Sequence, residues 1–244
     1  MEYDLKVLED GCKEYGISLT DDQKRQFIQY FELLVEWNKV MNLTGITEFQ
    51  EVMQKHFLDS LSIAKAVDME QIHSCIDVGT GAGFPGIPLK IAFPHIKVTL
   101  LDSLKKRLNF LDEVIRELGL QGIETVHGRA EDAARKQEYR EQYDLSVSRA
   151  VSRLAALCEY CMPYVKEGGV FVSYKSGKAS EELVEAQKAI SVLGGKVMKE
   201  EDFKLYGTDM DRTLLVIQKV KNTPKKYPRK AGTPAKEPIL SLKI

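Results

Sequence analysis

Apolar residues recur at helical spacing through the first 66 residues and at strand spacing from about residue 74 onward. The clearest helix is LTDDQKRQFIQYFELLVEWNKV. Thr20 is placed as its N-cap with Gln23 three positions on, the spacing of a capping box. Phe27, Tyr30, Phe31, Leu34, Val35 and Trp37 follow as its core side. EFQEVMQKHFLDSLSIAKAV predicts another helix, with Val52, His56 or Phe57, Leu61 and Ala64 inward.

Strand and helix patterns then alternate. SCIDVGT, KVTLLD, GIETVHG, YDLSVSRA and GGVFVSYKS read as strands. PGIPLKIAF, SLKKRLNFLDEVIREL, RAEDAARKQEY, VSRLAALCEYCMPYV and SEELVEAQKAISVLG read as the helices between and after them. The prolines of PGIPLKIAF are tolerable in a first helical turn. This order predicts a mostly parallel sheet with helices on both faces. KVMKEEDFKLY and RTLLVIQKV close the pattern with no helix between them, so one of them should run antiparallel. The expected fold is Rossmann-like: seven strands, one antiparallel, with an N-terminal helical extension. The expected segments are the extension (1–66), the α/β domain (67–220) and a tail (221–244) rich in Lys and Pro. Such a tail should be extended rather than packed.

Composition narrows the function classes. The chain has 244 residues, 43% of them hydrophobic, enough for a sizeable core. Its 35 Lys and Arg balance 36 Asp and Glu, which excludes a wholly basic nucleic-acid coat protein but allows a local basic patch. MEYDLKVLED is acidic and no signal peptide, and no stretch has the apolar length of a membrane span. A cytoplasmic protein is expected. The four cysteines are too few for a disulfide scaffold. Cys158 and Cys161, inside an apolar helix pattern, read as core thiols rather than a metal or redox pair.

The chemistry concentrates in GTGAGFPG, residues 79–86, just after the first strand. Ligands of open parallel sheets bind beyond the carboxyl ends of the strands, so this loop is a candidate site on any reading. Gly81-Ala82-Gly83-Phe84-Pro85-Gly86 fits the G-x-G-x-x-G dinucleotide pattern, which alone is weak evidence. An NAD-linked oxidoreductase is therefore one alternative. Three features weigh against it. Asp77, two residues before Gly79, would repel a pyrophosphate and suits a cationic ligand such as a sulfonium. Phe84 and Pro85 occupy the turn where phosphate would meet a helix N-terminus. The closing antiparallel strands fit methyltransferases better than dehydrogenases. Asp102, ending the second strand, grips ribose hydroxyls under either reading. A third class, a non-catalytic ribosomal RNA-binding module, would not need Asp77, the glycine loop and Asp102 together.

HFLDSL, DVGTGAGFPGIPLKI, LLDSLKKRLNFL, GRAED, SRAV and RKAGTPAKEP together resemble the bacterial glucose-inhibited division protein B family, over nearly the whole chain. The resemblance implies a methyltransferase dependent on S-adenosyl-L-methionine (SAM), acting on N7 of a guanine in 16S rRNA, guanine 527 of the 530 loop. It further implies that Gly79, Gly81 and Phe84 line the SAM pocket. Asp102, Ser103 and Leu104 would hold the ribose and flank the adenine. Ala130 and Glu131 would meet the adenine amino group, and Arg149 would face cofactor or nucleotide. With Asp77 these are the expected cofactor residues. The expected partner is 16S rRNA or the small ribosomal subunit, bound by a monomer with no membrane or metal involved.

Guanine N7 carries an in-plane lone pair and no proton, so methyl transfer to it requires no general base. In-line alignment is the main requirement. No catalytic base is expected, and Arg149 would position the nucleotide. Phosphate contacts should dominate RNA affinity. The candidates are Lys175, Arg212, and Lys225, Lys226, Arg229 and Lys230 of the tail, with Lys178, Lys221 and Lys236 beside them. Lys105, Lys106 and Arg107 either contact phosphate or form a solvated face. Arg153 reads as a helix-surface residue. His56 and Asp59 share a helix face. They either close the site from the N-terminal extension or are structural.

Overall fold

The computed structural model describes residues 3–149, 152–177 and 179–241. Lys178, the Ala150–Val151 part of SRAV, and residues 242–244 lie outside them. Helix α1 (Lys6–Glu14) precedes α2 (Asp21–Met41). Thr20 caps α2 as its sequence requires: Thr20 Oγ1 accepts from Gln23 N, and Gln23 Oε1 accepts from Thr20 N. Phe27, Tyr30, Phe31 and Leu34 form its buried side.

The next helix departs from the continuous one that its spacing predicts. α3 (Phe49–Val52) opens into a π-helical turn (Met53–Leu58), which tightens again into α4 (Asp59–Leu61) and a 3-10 turn (Ser62–Lys65). Wide turns of this kind gather at functional sites because they re-aim side chains and loosen carbonyls from the helical ladder. Here Phe57 goes into the core, while His56 turns to stack on Phe84 at 4.6 Å between ring centroids.

The sheet comprises β1 (Ser74–Val78), β2 (Lys97–Asp102), β3 (Ile123–His127), β4 (Tyr143–Ser148), β5 (Val165–Ser176), β6 (Gly195–Lys204) and β7 (Asp211–Lys219). Its order is β3-β2-β1-β4-β5-β7-β6. β1 to β5 are parallel, and β7 runs antiparallel between β5 and β6. The one reversed strand expected from the missing last crossover is therefore β7. The strand order reverses direction between β1 and β4, which fixes where a ligand can sit.

Strand alternation divides the core in two. Cys75, Val98, Leu100 and Val147 face a layer containing the N-terminal helices, α5 (Gly86–Ala92) and α6 (Lys105–Glu117). Ile76, Val78 and Leu101 face α8 (Leu154–Cys161) and α9 (Ser180–Val192) on the other side. Cys158 and Cys161 are free thiols buried in that second layer. Two predicted helices are shorter than their pattern. α7 is confined to Ala130–Ala133, and α8 gives way at Cys161 to a 3-10 turn containing Pro163.

The tail differs from the extended, unpacked segment that its composition suggests. It lies across α7 and α8 and forms a last turn, α10 (Thr233–Lys236). Arg229 grips Glu159, a carboxylate with no solvent exposure, through its backbone N–H and its guanidinium at 2.7–3.1 Å. Arg135 donates to the carbonyl of Pro228, and Arg140 donates to those of Thr223 and Tyr227. No helix among the described residues is long and apolar enough to cross a membrane.

Candidate functional site

The carboxyl ends of β1, β2, β3 and β4 surround a cavity of about 520 Å³. Its floor is the turn after β1. Gly79 and Gly81 have φ of +74° and +63°, and a Cβ on either would meet nothing within 4 Å. They are glycines because of the backbone conformation, which leaves open space above the turn for a ligand. Gly86 is a glycine for packing. A Cβ there would lie 2.3 Å from Leu100 Cδ2 and 2.9 Å from Asp77 Oδ2.

Asp102 anchors the rim. Its Oδ2 accepts from Gly81 N and its Oδ1 from Leu104 N, both at 2.9 Å, and Arg107 Nη1 stands 3.5 Å away. Oδ1 retains a lone pair, so the carboxylate can still accept from a ligand hydroxyl. Ser103, Ala130 and Glu131 also line the cavity.

Asp77 does not reach the cavity. Alternation along β1 aims it at the α5 face with Cys75, away from Ile76 and Val78. Its Oδ2 accepts from Thr80 Oγ1 (2.7 Å) and Gly86 N (2.8 Å), while Oδ1 is buried without a partner among the described residues. Burial raises its pKa to about 6 despite those bonds. Asp77 therefore braces the glycine loop. Phe84 stands in the same loop and is not among the residues that line this cavity. It lies in the aromatic layer formed with Tyr30, Phe57 and His56, which joins the N-terminal helices to the loop. Tyr30 completes that joint by donating to the Ala82 carbonyl at 2.5 Å. Leu104 contributes its backbone N–H to Asp102, and its side chain is exposed.

A second cavity, about 540 Å³, adjoins the first, and Ser152 lines both. Arg149 belongs to this second space. Its guanidinium donates to Asp59 Oδ2 at 3.0 Å and to the carbonyls of Lys55 and His56, which the π-helical turn presents to it. It also covers the Phe84 ring at 5.0 Å. Arg212 Nε donates to the other oxygen, Asp59 Oδ1, at 2.8 Å. One buried carboxylate from the N-terminal extension thus fixes two arginines, from the end of β4 and from β7. Asp59 lines the second cavity, and His56 packs on Phe84 beside Arg149. Arg149 Nη2 can only donate, so His56 Nδ1 accepts from it and Nε2 donates to Thr44 Oγ1. Burial and the neighbouring Arg149 lower the His56 pKa to about 3, so the ring is neutral.

Several residues expected to hold RNA are engaged within the protein. Lys175 bonds Glu182 Oε2 at 2.8 Å and the Ser152 carbonyl at 2.9 Å. Arg212 is held by Asp59 and Arg229 by Glu159, so Arg229 anchors the tail rather than offering a free cation. Lys225, Lys226 and Lys230 are exposed. Arg153 lines the second cavity instead of facing plain solvent.

Composition and spacing missed the contribution of the tail to the first cavity. Gly232 and Ala235 form part of its wall beside Tyr160, and Glu131 Oε1 accepts from Gly232 N at 2.7 Å. The available signal was Glu159. A carboxylate in the apolar run LAALCEYC needs a cationic partner, and the run itself holds none.

The family model described as rRNA small subunit methyltransferase G matches residues 23–208. A ribosomal RNA small subunit methyltransferase G from Lachnoclostridium phytofermentans is 55% identical over 96% of both chains. One from Alkaliphilus metalliredigens is 54% identical, covering 96% of this chain and 98% of that one. Among solved structures, P. horikoshii TYW2 in complex with MeSAdo superposes with a TM-score of 0.50 at 14% identity, over 66% of this chain and 61% of that chain.

Proposed function

Because the chain belongs to the rRNA small subunit methyltransferase G family, we infer that its two adjoining cavities serve a single methyl transfer. The protein is a SAM-dependent methyltransferase of 16S rRNA, and N7 of a guanine is the acceptor by family. The oxidoreductase alternative has no support from any relative.

The first cavity fits the cofactor. Asp102 keeps a free lone pair on Oδ1 for a ribose hydroxyl, and the turn at Gly79 and Gly81 lets the backbone approach closely. Leu101, Leu157 and Ala235 give an adenine ring apolar walls, with Ala130 and Glu131 beside it. When bound, SAM supplies an electrophilic methyl group on its sulfonium. The chain's own task is alignment. It must hold the guanine with N7 in line with that methyl group and exclude water, which can supply ~7 kcal/mol or more of the barrier. No residue needs to remove a proton. Arg149 and Arg212, fixed by Asp59, are placed to hold the nucleotide from the second cavity.

Exposed Lys225, Lys226 and Lys230 would meet RNA phosphates, with Lys175, Arg212 and Arg229 contributing only as far as their internal pairs allow. The protein would work as a monomer in the cytoplasm, with no membrane or metal involved. The helical extension, the α/β domain and the tail would divide the work as acceptor side, cofactor side and cover.

The observation that carries this reading is the pair of cavities meeting at Ser152, one rimmed by Asp102 and the other by two arginines. Calorimetry should detect SAM and S-adenosylhomocysteine binding, with NAD silent. Mapping 16S rRNA methylation with and without the protein should reveal one N7-methylguanine that depends on it. Binding of NAD without SAM would sink the reading.

A further inference from the structure

We propose that the second cavity receives the acceptor guanine itself, extruded from the RNA, and that Glu182 recognises it by accepting from its N1–H and N2 amino groups. The inference rests on the reading above, with the cofactor in the first cavity and guanine N7 as acceptor.

Orientation decides which side of the base meets which wall. N7 must face the boundary between the cavities, where Ser152 lines both. The N1–H and N2 amino donors lie on the opposite edge of guanine. They therefore face residues that line the second cavity alone. An RNA base held outside a helix is commonly read by hydrogen bonds to this edge.

Two carboxylates, Asp59 and Glu182, line the second cavity and not the first. Asp59 has 8% side-chain exposure, and each of its oxygens already receives an arginine. Glu182, in the first turn of α9, has 42% side-chain exposure. Its Oε2 is fixed by Leu154 N at 2.9 Å and Lys175 Nζ at 2.8 Å, while Oε1 has no partner among the described residues. Glu182 is thus held by one oxygen and presents the other. A carboxylate is an acceptor only, which matches the two donors of guanine and opposes the N1 lone pair of adenine. Arg153, also lining the cavity, has no salt bridge among the described residues and can donate to O6 or phosphate.

The geometry also identifies an informative variant. In Glu182→Gln, the amide oxygen must take the Oε2 position, because Leu154 N–H and Lys175 need an acceptor there. The NH2 group then occupies the Oε1 position and opposes the donors of guanine. The support for α8 survives, while the recognising edge changes from acceptor to donor.

The test uses small subunits reconstituted with 16S rRNA carrying guanine or inosine at the methylated nucleotide. Inosine keeps N7, O6 and N1–H and lacks only the N2 amino group. Wild-type kcat/KM should be about tenfold or more lower on inosine, the size of one hydrogen bond to a charged group. Glu182→Gln should lose about tenfold or more on guanine, should prefer guanine over inosine by less than about threefold, and should bind S-adenosylhomocysteine as the wild type does. A wild type indifferent to inosine overturns the proposal. So does a Glu182→Gln variant with the wild-type rate on guanine or the wild-type preference. Failure of the underlying reading would look different, with no N7 methylation of the guanine substrate by the wild type.

Discussion

Glu131 accepts the backbone N–H of Gly232 at 2.7 Å, joining α7 to a tail segment 101 residues later. Through this bond and the pair of Arg229 with Glu159, the tail becomes a wall of the cofactor cavity. Arg229→Ala would leave Glu159 buried and unpaired, which typically costs about 3–5 kcal/mol. The expected result is a lower Tm and weaker S-adenosylhomocysteine binding in calorimetry. Removal of residues 221–244 should also weaken the cofactor. An unchanged cofactor affinity in both variants would show that the tail does not wall the site.

Cofactor and RNA should separate along a different line. Asp102→Ala removes the acceptor for Gly81 N and the proposed ribose contact, and it should weaken cofactor binding by about 10- to 100-fold. RNA affinity at fixed salt should stay within about threefold. Replacing Lys225, Lys226 and Lys230 together by Ala should do the reverse. The log–log salt dependence of RNA binding should become shallower by about 2–3. A slope unchanged in a filter-binding titration would remove these lysines from the RNA surface.

Two glycines of one loop should fail differently. Gly86→Ala forces a methyl against Leu100 and Asp77, an overpacking that typically costs about 1–3 kcal/mol. Gly79→Ala meets no neighbour but is strained by its φ of +74°. Urea unfolding should therefore show Gly86→Ala as the less stable variant. Gly79→Ala should show the larger loss of cofactor affinity relative to its loss of stability.

His56 sets an acid limb on stability. Its pKa is about 3 in the folded protein against an ordinary value of 6.5. Between these values the unfolded chain binds more protons, so stability is full above about pH 6.5 and falls as pH drops toward 3. Asp77 acts in the opposite sense. Raised from 3.8 to about 6, it contributes fully below pH 3.8, and that contribution is lost as pH rises through 6. His56→Phe keeps an aromatic ring beside Phe84 and removes the titration. The slopes of His56 and Asp77 oppose each other in this window, so the stability difference between wild type and His56→Phe should shift in favour of the wild type as pH rises from about 4 to 6.5.

Much of the fold was legible in the sequence because it rests on local periodicity. The Thr20 cap, the seven strands and the reversed strand β7 follow from spacing and from the missing last helix. The place of Asp102 at the cavity was legible because such sheets leave a crevice beyond the carboxyl ends of their strands. The bracing bonds of Asp77 to Thr80 and Gly86 were not legible, because they depend on which sheet face it points to and not on its proximity to Gly79 in sequence. The π-helical turn at Met53–Leu58 leaves no trace in an apolar pattern that an ordinary helix also satisfies. The packed tail was hidden because its lysines and prolines look solvated, while the groups that anchor it, Glu131 and Glu159, lie about 70–100 residues earlier. Asp59 appeared only as a helix neighbour of His56. Its bonds to Arg149 and Arg212 cross 90 and 153 residues of chain.

The wall formed by Gly232 and Ala235 also sets an order of events during synthesis. Every other residue lining the cofactor cavity leaves the ribosome before these two. A nascent chain can assemble the ends of β1 to β4 and still lack a complete pocket. Full affinity for the methyl donor is expected only once Gly232 and Ala235 have closed over the ends of β1 to β4.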